Sequence, residues 1–210
     1  MNQPTHTAEK LPSAAKLAAA RIEHENTDKT IFGFWVYIMT DCVLFASLFA
    51  TYAVLHNSTF GGPSAKDLFS LPFVLTETLL LLTSSYTTGL ALLAARRGNR
   101  NGALIWLSVT ASLGLAFLFM EIKEFRHLSL EGNSWRRSSF LSAFFTLVGT
   151  HGLHITTGLL WLGVLSLRII KNGLTKISIK RLELFGIFWH FLDIIWIFIF
   201  TIVYLMGELS

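Results

Sequence analysis

The 210-residue chain is strongly apolar: 52% of its residues are hydrophobic, 14% are charged, and the mean hydropathy is +0.55. A soluble domain carries about 25% charged residues, whereas apolar runs of about 18 residues or more, long enough to cross a bilayer core of about 30 Å, recur in this chain. The composition therefore excludes a soluble enzyme and predicts one integral membrane domain. The net charge of +4 follows from basic loop residues and does not require a nucleic-acid partner.

An all-α integral membrane fold with five transmembrane helices is predicted from the apolar runs. Residues 1–30 precede the runs, are polar, and lack the apolar core and cleavage site of a signal peptide. They are predicted to form a cytoplasmic N-terminal segment, and residues 31–207 to form one transmembrane domain. The five predicted spans cover residues 31–55, 71–95, 102–122, 138–167 and 184–206.

The basic residues divide unequally between the two sets of loops. The N-terminal segment and the loops after the second and fourth spans hold 12 of the 17 Lys and Arg residues, and the other loops hold 5. Cytoplasmic loops carry an excess of Lys and Arg in membrane proteins. The N-terminus is therefore predicted in the cytoplasm and the C-terminus in the periplasm.

Ionisable side chains lie inside the predicted spans, where they are costly and are by default candidates for function or buried contacts. At a rise of about 1.5 Å per residue, Asp41, His154 and Asp193 are expected at similar depths, about 15 Å from the cytoplasmic side. Glu77 and Glu121 are expected in the outer half of the membrane. The candidates are Asp41, Glu77, Glu121, His151, His154, His190 and Asp193.

Two of these pairs have helical spacing. His151 and His154 are three residues apart, as are His190 and Asp193, so each pair shares a helix face. This spacing predicts a histidine–carboxylate pair between the fourth and fifth helices. Such a pair would satisfy both groups in a medium without water.

The membrane-embedded polar groups allow three interpretations. Histidines on two helices can ligate haem, and Glu124 with His127 has the spacing used by di-iron bundles, but the set is incomplete for either site. A proton relay would need a chain of groups across the membrane, whereas these groups divide between the outer and inner halves. The favoured interpretation is helix packing, lipid contact and subunit contact. No catalytic, cofactor-binding or metal-binding residue is therefore predicted.

The residues from Thr150 to His154 (THGLH), followed one helix later by Trp189 to Asp193 (WHFLD), form a specific combination. Because of this combination, the chain resembles subunit III of the haem-copper terminal oxidases. The resemblance is strongest to the bo-type ubiquinol oxidase branch of bacteria. The resemblance covers all five spans. The matching segments are Phe32 to Leu48, Leu71 to Ser85, Met120 to Phe125, Phe140 to His154 and Phe188 to Gly207.

The resemblance implies a non-catalytic subunit of a proton-pumping complex that oxidises ubiquinol and reduces oxygen to water. It implies that haem and copper reside in subunit I, that no cofactor binds this chain, and that subunits I, II and IV are partners. It further implies a multi-pass protein of the bacterial inner membrane that binds phospholipid in a cleft between its first two helices and the others. The seven polar residues are expected to order helices around this cleft.

The sequence is also compatible with two alternatives. The same subunit could belong to a cytochrome c oxidase, which differs in its electron donor, and the donor site is not expected on this chain. A small stand-alone membrane transporter is the alternative from another functional class.

Overall fold

The computed structural model describes residues 14–56, 58, 71–133 and 135–209, with side chains described between residues 28 and 207. Residues 1–13 of the predicted N-terminal segment lie outside the described residues. All secondary structure within the described ranges is helical. The elements are α1 (Ala14–Leu55), α2 (Leu71–Arg96), α3 (Arg100–Leu130), α4 (Ser139–Asn172), α5 (Lys176–Ile199), the π-helix π1 (Phe200–Leu205) and α6 (Met206–Leu209).

Five of the described helices are long and apolar enough to cross a membrane, which confirms the all-helical fold with five membrane-length helices. The helices extend beyond the apolar runs that predicted them. The largest extension is in α1, which begins at Ala14 instead of residue 31. In α3 the helix continues to Leu130, whereas its predicted span ends at Ile122. The intervening Lys, Glu and Arg residues end the apolar run, but they are good helix formers, so the backbone remains helical past it.

Two short turns, each followed by a helix with a side-chain cap, join α2 to α3 and α4 to α5. The Asn99 side chain accepts a hydrogen bond from the backbone N–H of Gly102 at the start of α3, and Thr175 accepts one from Ser178 at the start of α5. Each cap satisfies a backbone donor that has no partner within the helix. Gly173 ends α4 with a φ of 72°, a conformation that favours glycine. These turns make α2–α3 and α4–α5 antiparallel neighbours.

The described chain forms two compact units, Met1–Thr40 and Asp41–Ser210. The first contains the N-terminal part of α1. The second contains the end of α1 and all later elements, and it holds all seven candidate residues. In this second unit α2 packs on α3, α5 and π1, and α4 packs on α3 and α5. Its interior is rich in aromatic side chains, including the fully buried Trp189, Trp196, Phe117 and Tyr204.

Candidate functional site

The seven candidate residues differ in burial. His190 is exposed and His154 is partly buried. The remaining five are buried between helices, and Glu77 and His151 have no exposed surface. The buried five are Asp41, Glu77, Glu121, His151 and Asp193.

His154 of α4 pairs with Asp41 of α1. Its Nδ1 lies 2.7 Å from the backbone oxygen of Thr150, which can only accept, so Nδ1 carries a proton. Its Nε2 lies 3.4 Å from Oδ2 of Asp41. The predicted pairing of His154 with the fifth helix is therefore wrong: the observed carboxylate partner is on α1.

His190 and Asp193 of α5 both contact Ser85 of α2. The Nδ1 of His190 hydrogen-bonds to Ser85 Oγ, and the Asp193 carboxyl group interacts with the same hydroxyl group, although its Oδ1 has no hydrogen-bond partner among the described residues. The imidazole itself is exposed on the surface of this unit. The two residues therefore connect α5 to α2, and not to α4 as their helix face predicted.

Two buried indole groups of α5 also donate to hydroxyl groups of α2. The Nε1 of Trp189 lies 3.0 Å from Ser84 Oγ, and the Nε1 of Trp196 lies 3.1 Å from Thr78 Oγ1. A buried N–H without an acceptor is costly. These bonds fix both the rotation and the height of α5 against α2.

Glycines make room for the largest of these side chains. A Cβ atom placed on Gly158 of α4 would lie 2.8 Å from the Trp189 ring, and one on Gly114 of α3 would lie 3.1 Å from it. A Cβ on Gly152 would overlap the carboxyl group of Glu121. Small residues let membrane helices approach closely. Here they accommodate an indole and a carboxyl group between α3, α4 and α5.

Three glutamates from α2 and α3 form a group that we call the carboxyl cluster: Glu77, Glu121 and Glu124. Each interacts electrostatically with the others. Among the described residues, both oxygens of Glu77 and Oε2 of Glu121 are buried without a hydrogen-bond partner. The hydroxyl group of Tyr204 in π1 donates to Oε2 of Glu124 over 3.0 Å.

His151 lies among aromatic rings in the same part of the core. Its ring centroid is 5.1 Å from that of Trp196, 5.9 Å from that of Phe117 and 6.5 Å from that of Phe45. Neither ring nitrogen has a hydrogen-bond partner among the described residues. His151 therefore occupies a mostly aromatic pocket and contributes no polar contact to a ligand set.

The sequence contained signals for residues that the prediction omitted. Glu124 follows Glu121 by three residues and shares its helix face. Thr78, Ser85 and Thr88 recur on α2 with helical spacing, which marks a polar stripe. Tyr204 gave no such signal, because its position depends on the π-helical turn.

The arrangement provides helix-to-helix polar contacts across the second unit. Within the ranges that the structure describes, no three His, Cys, Asp or Glu side chains are grouped to hold a metal ion. The polar groups connect α1 to α4, α2 to α5 and α3 to π1. The contacts of these polar groups within the described residues therefore lie between helices.

Comparison with known proteins identifies the family. Residues 21–208 match the family model of cytochrome c oxidase subunit III. The chain is 59% identical to the cytochrome bo(3) ubiquinol oxidase subunit 3 of Pseudomonas aeruginosa, with 89% of each protein covered. It is 54% identical to the Pseudomonas putida protein of the same name, with 89% of this chain and 90% of that protein covered. It is 44% identical to the cytochrome c oxidase subunit 3 of Bacillus sp. strain PS3, with 96% and 95% covered. The chain, with its five membrane-length helices, belongs to the cytochrome c oxidase subunit III family.

Proposed function

We propose that this chain is the third subunit of a bacterial ubiquinol oxidase, a haem-copper enzyme that oxidises ubiquinol and reduces oxygen to water. In this proposal the haem and copper are in subunit I, and this chain stabilises the assembled enzyme. Two relatives that are more than half identical to it over nearly their full length carry the name of this subunit. We extend the function named for these two relatives to this chain.

The observation that best supports a structural role is the placement of the ionisable groups. Asp41, His154, Asp193 and Glu124 contact partners within the chain, across helix interfaces. The outer faces instead carry large apolar side chains, such as Leu160, which is 69% exposed. With these four groups turned inward and large apolar side chains outward, the chain suits contact with lipid and with other membrane subunits.

One outer face is a candidate for lipid or subunit contact. Side chains of α3 form an open, mostly apolar groove with two serine hydroxyls, lined by Leu104, Ile105, Ser108, Val109, Ser112 and Leu113. Both hydroxyls bond carbonyl groups of their own helix, so the groove presents little unsatisfied polarity. We assign this face to a phospholipid chain or to subunit I. Contacts with subunits II and IV belong to the same proposal.

The proposed location is the bacterial inner membrane, with the N-terminus in the cytoplasm and the C-terminus in the periplasm. The basic loops support this orientation. Residues 1–30 are then a cytoplasmic segment, and residues 31–207 are the membrane domain. The seven candidate residues order the helices, and none takes part in the oxidation chemistry.

The second candidate function is the same role in a cytochrome c oxidase. A relative with that name is 44% identical to this chain, compared with 59% and 54% for the two ubiquinol oxidase subunits. Identity therefore favours ubiquinol as the electron donor of the complex.

The structural role can be tested by comparing the purified oxidase with and without this chain. We expect equal initial quinol-dependent oxygen uptake per haem, followed by faster loss of activity during turnover in the enzyme that lacks the chain. Loss of the initial rate with an unchanged haem spectrum would contradict a non-catalytic role. Equal lifetimes of the two preparations would contradict the stabilising role.

A further inference from the structure

We propose that the open groove on α3 and the cations at its end bind one phospholipid with an anionic headgroup. An acyl chain of the lipid lies in the groove, and its phosphate contacts Arg100 of α3 and Lys171 of α4. With this site we name the class of lipid that the groove takes, an inference that rests on the proposed lipid contact. No residue of α1 or α2 lines the groove. The site is therefore separate from the cleft expected between the first two helices and the others.

The groove and Arg100 lie on one face of α3. The groove is lined by two rows of residues spaced four apart: Leu104, Ser108 and Ser112, and Ile105, Val109 and Leu113. Arg100 precedes Leu104 by the same interval, and residues four apart on a helix are neighbours on its surface. The apolar groove therefore begins one helical turn from an exposed guanidinium group.

The length of the groove matches the hydrocarbon of one leaflet. From Leu104 to Leu113 the helix rises about 14 Å at about 1.5 Å per residue. Half of a hydrocarbon core of about 30 Å is about 15 Å. A transmembrane helix of a partner subunit crosses the whole core, whereas the groove ends at Leu113. Its length therefore favours an acyl chain as the occupant, with Arg100 at the depth of the headgroup.

Arg100 is held at the junction of α3 and α4. Its guanidinium group donates a hydrogen bond to the backbone oxygen of Ile170, which lies in the last turn of α4, where carbonyl groups lack partners within the helix. A guanidinium group has five N–H donors, so donors remain for other acceptors. Arginine binds phosphate oxygens in a bidentate geometry. The contact with Ile170 therefore positions a phosphate-binding group at the end of the groove.

The charges at this end of the bundle favour an anionic ligand. Lys171 is exposed and directly follows Ile170, the residue that Arg100 contacts. Within α2 to α5, Glu183 is the acidic residue near this end, and it already forms an ion pair with Arg96 over 2.8 Å. Neither Arg100 nor Lys171 has a carboxylate partner among the described residues. Basic residues at the ends of membrane helices bind anionic headgroups, which here would supply the missing negative charge.

Photolabelling of the complete oxidase tests this site. The probe is phosphatidylglycerol with a photoactivatable diazirine in one acyl chain, and mass spectrometry of the digested chain locates the adducts. We expect adducts between Leu104 and Leu113 in the wild-type complex. Unlabelled phosphatidylglycerol should displace the probe. Phosphatidylcholine and inorganic phosphate at the same concentration should displace it far less.

Variants of the two cations should weaken the labelling. Arg100→Gln and Lys171→Gln should each lower the adduct yield about fivefold, because each removes one basic group near the headgroup. Lys171→Gln covers the case in which Arg100→Gln disturbs the end of α4, since Lys171 makes no hydrogen bond or ion pair with the rest of the described chain. The matched control is Arg126→Gln, because Arg126 is exposed near the opposite end of α3, and this variant should leave the yield unchanged.

Three results would overturn the site. The first is the absence of adducts between Leu104 and Leu113 in the assembled oxidase. The second is unchanged labelling in both variants of the cations. The third is displacement by phosphatidylcholine or by inorganic phosphate as effective as that by phosphatidylglycerol, which would mean a general lipid surface or a site for a free anion. The haem spectrum and oxygen uptake of the same preparation test the proposed function separately, so a failure of the lipid site leaves that function intact.

Discussion

Nε2 of His154 lies 3.4 Å from Oδ2 of Asp41, and this pair joins α4 to α1 inside a membrane-length segment. The Phe45 ring lies 5.2 Å from the imidazole and helps to exclude water. The other imidazole nitrogen donates to its own helix, so the ring is held in one orientation. The contact between α1 and α4 therefore includes an imidazole and a carboxyl group that face each other.

Breaking this pair should destabilise the protein strongly. Asp41→Ala leaves the partly buried imidazole of His154 without its partner, and removing one member of a buried pair costs roughly 3–5 kcal/mol. The measurement is thermal unfolding of the purified complex, monitored as the amount of this chain that remains bound to it. The His154→Ala variant and the double variant complete a cycle that isolates the coupling between the two residues.

The chain supplies a matched exposed pair as the control. His127 Nε2 lies 3.3 Å from Glu131 Oε1, with the two side chains 71% and 49% exposed. An exposed ion pair contributes about 0–1 kcal/mol. The same cycle at His127 and Glu131 should therefore show little coupling. Equal coupling in the two pairs would mean that burial of Asp41 and His154 does not determine their role.

The hydrogen bond from Trp196 to Thr78 should be required for the α2–α5 contact. Thr78→Val keeps the side-chain shape but leaves the buried indole N–H without an acceptor, which costs about 1–3 kcal/mol. Thr157→Val is the control, because that exposed hydroxyl bonds only the carbonyl of Leu153 on its own helix. Thermal unfolding should show a clear loss for the first variant and almost none for the second. The reverse order would contradict the assignment.

The sequence was sufficient to predict the five membrane-length helices, because the apolar runs exceed the thickness of a bilayer. It was also sufficient to single out Asp41, Glu77, Glu121, His151 and Asp193, which are all buried. It did not identify the partner of His154. Helical spacing tells which residues share a face, but not which neighbouring helix that face meets. The position of Tyr204 was also beyond reach, since it depends on a π-helical turn.

Gly158 should not tolerate a side chain. A Cβ atom at this position would lie 2.8 Å from the Trp189 ring and 3.1 Å from Phe188, so Gly158→Ala must displace an indole in a packed core. Such overpacking costs about 1–3 kcal/mol. Gly163→Ala is the control on the same helix, because no atom lies within 4 Å of its added Cβ. Equal thermal stability of the two variants would contradict the packing described for Trp189.

The proposed orientation can be tested with single cysteines in a background without the native one, Cys42→Ser. Arg97 and Glu131 are exposed at opposite ends of α3. In intact cells with a permeabilised outer membrane, an impermeant maleimide should label Glu131→Cys but not Arg97→Cys. In inverted inner-membrane vesicles the labelling should reverse. Labelling of Arg97→Cys alone in the cells would mean that the N-terminus faces the periplasm.

The most direct test of the central claim is purification of the chain from its native membranes. The chain carries a tag at its C-terminus, and mild detergent keeps the partners bound. The proposed function predicts a copurified subunit with haem and copper, a haem signal in the reduced-minus-oxidised spectrum, and oxygen uptake driven by ubiquinol but not by cytochrome c. A colourless chain without a large partner would contradict the claim that it is an oxidase subunit.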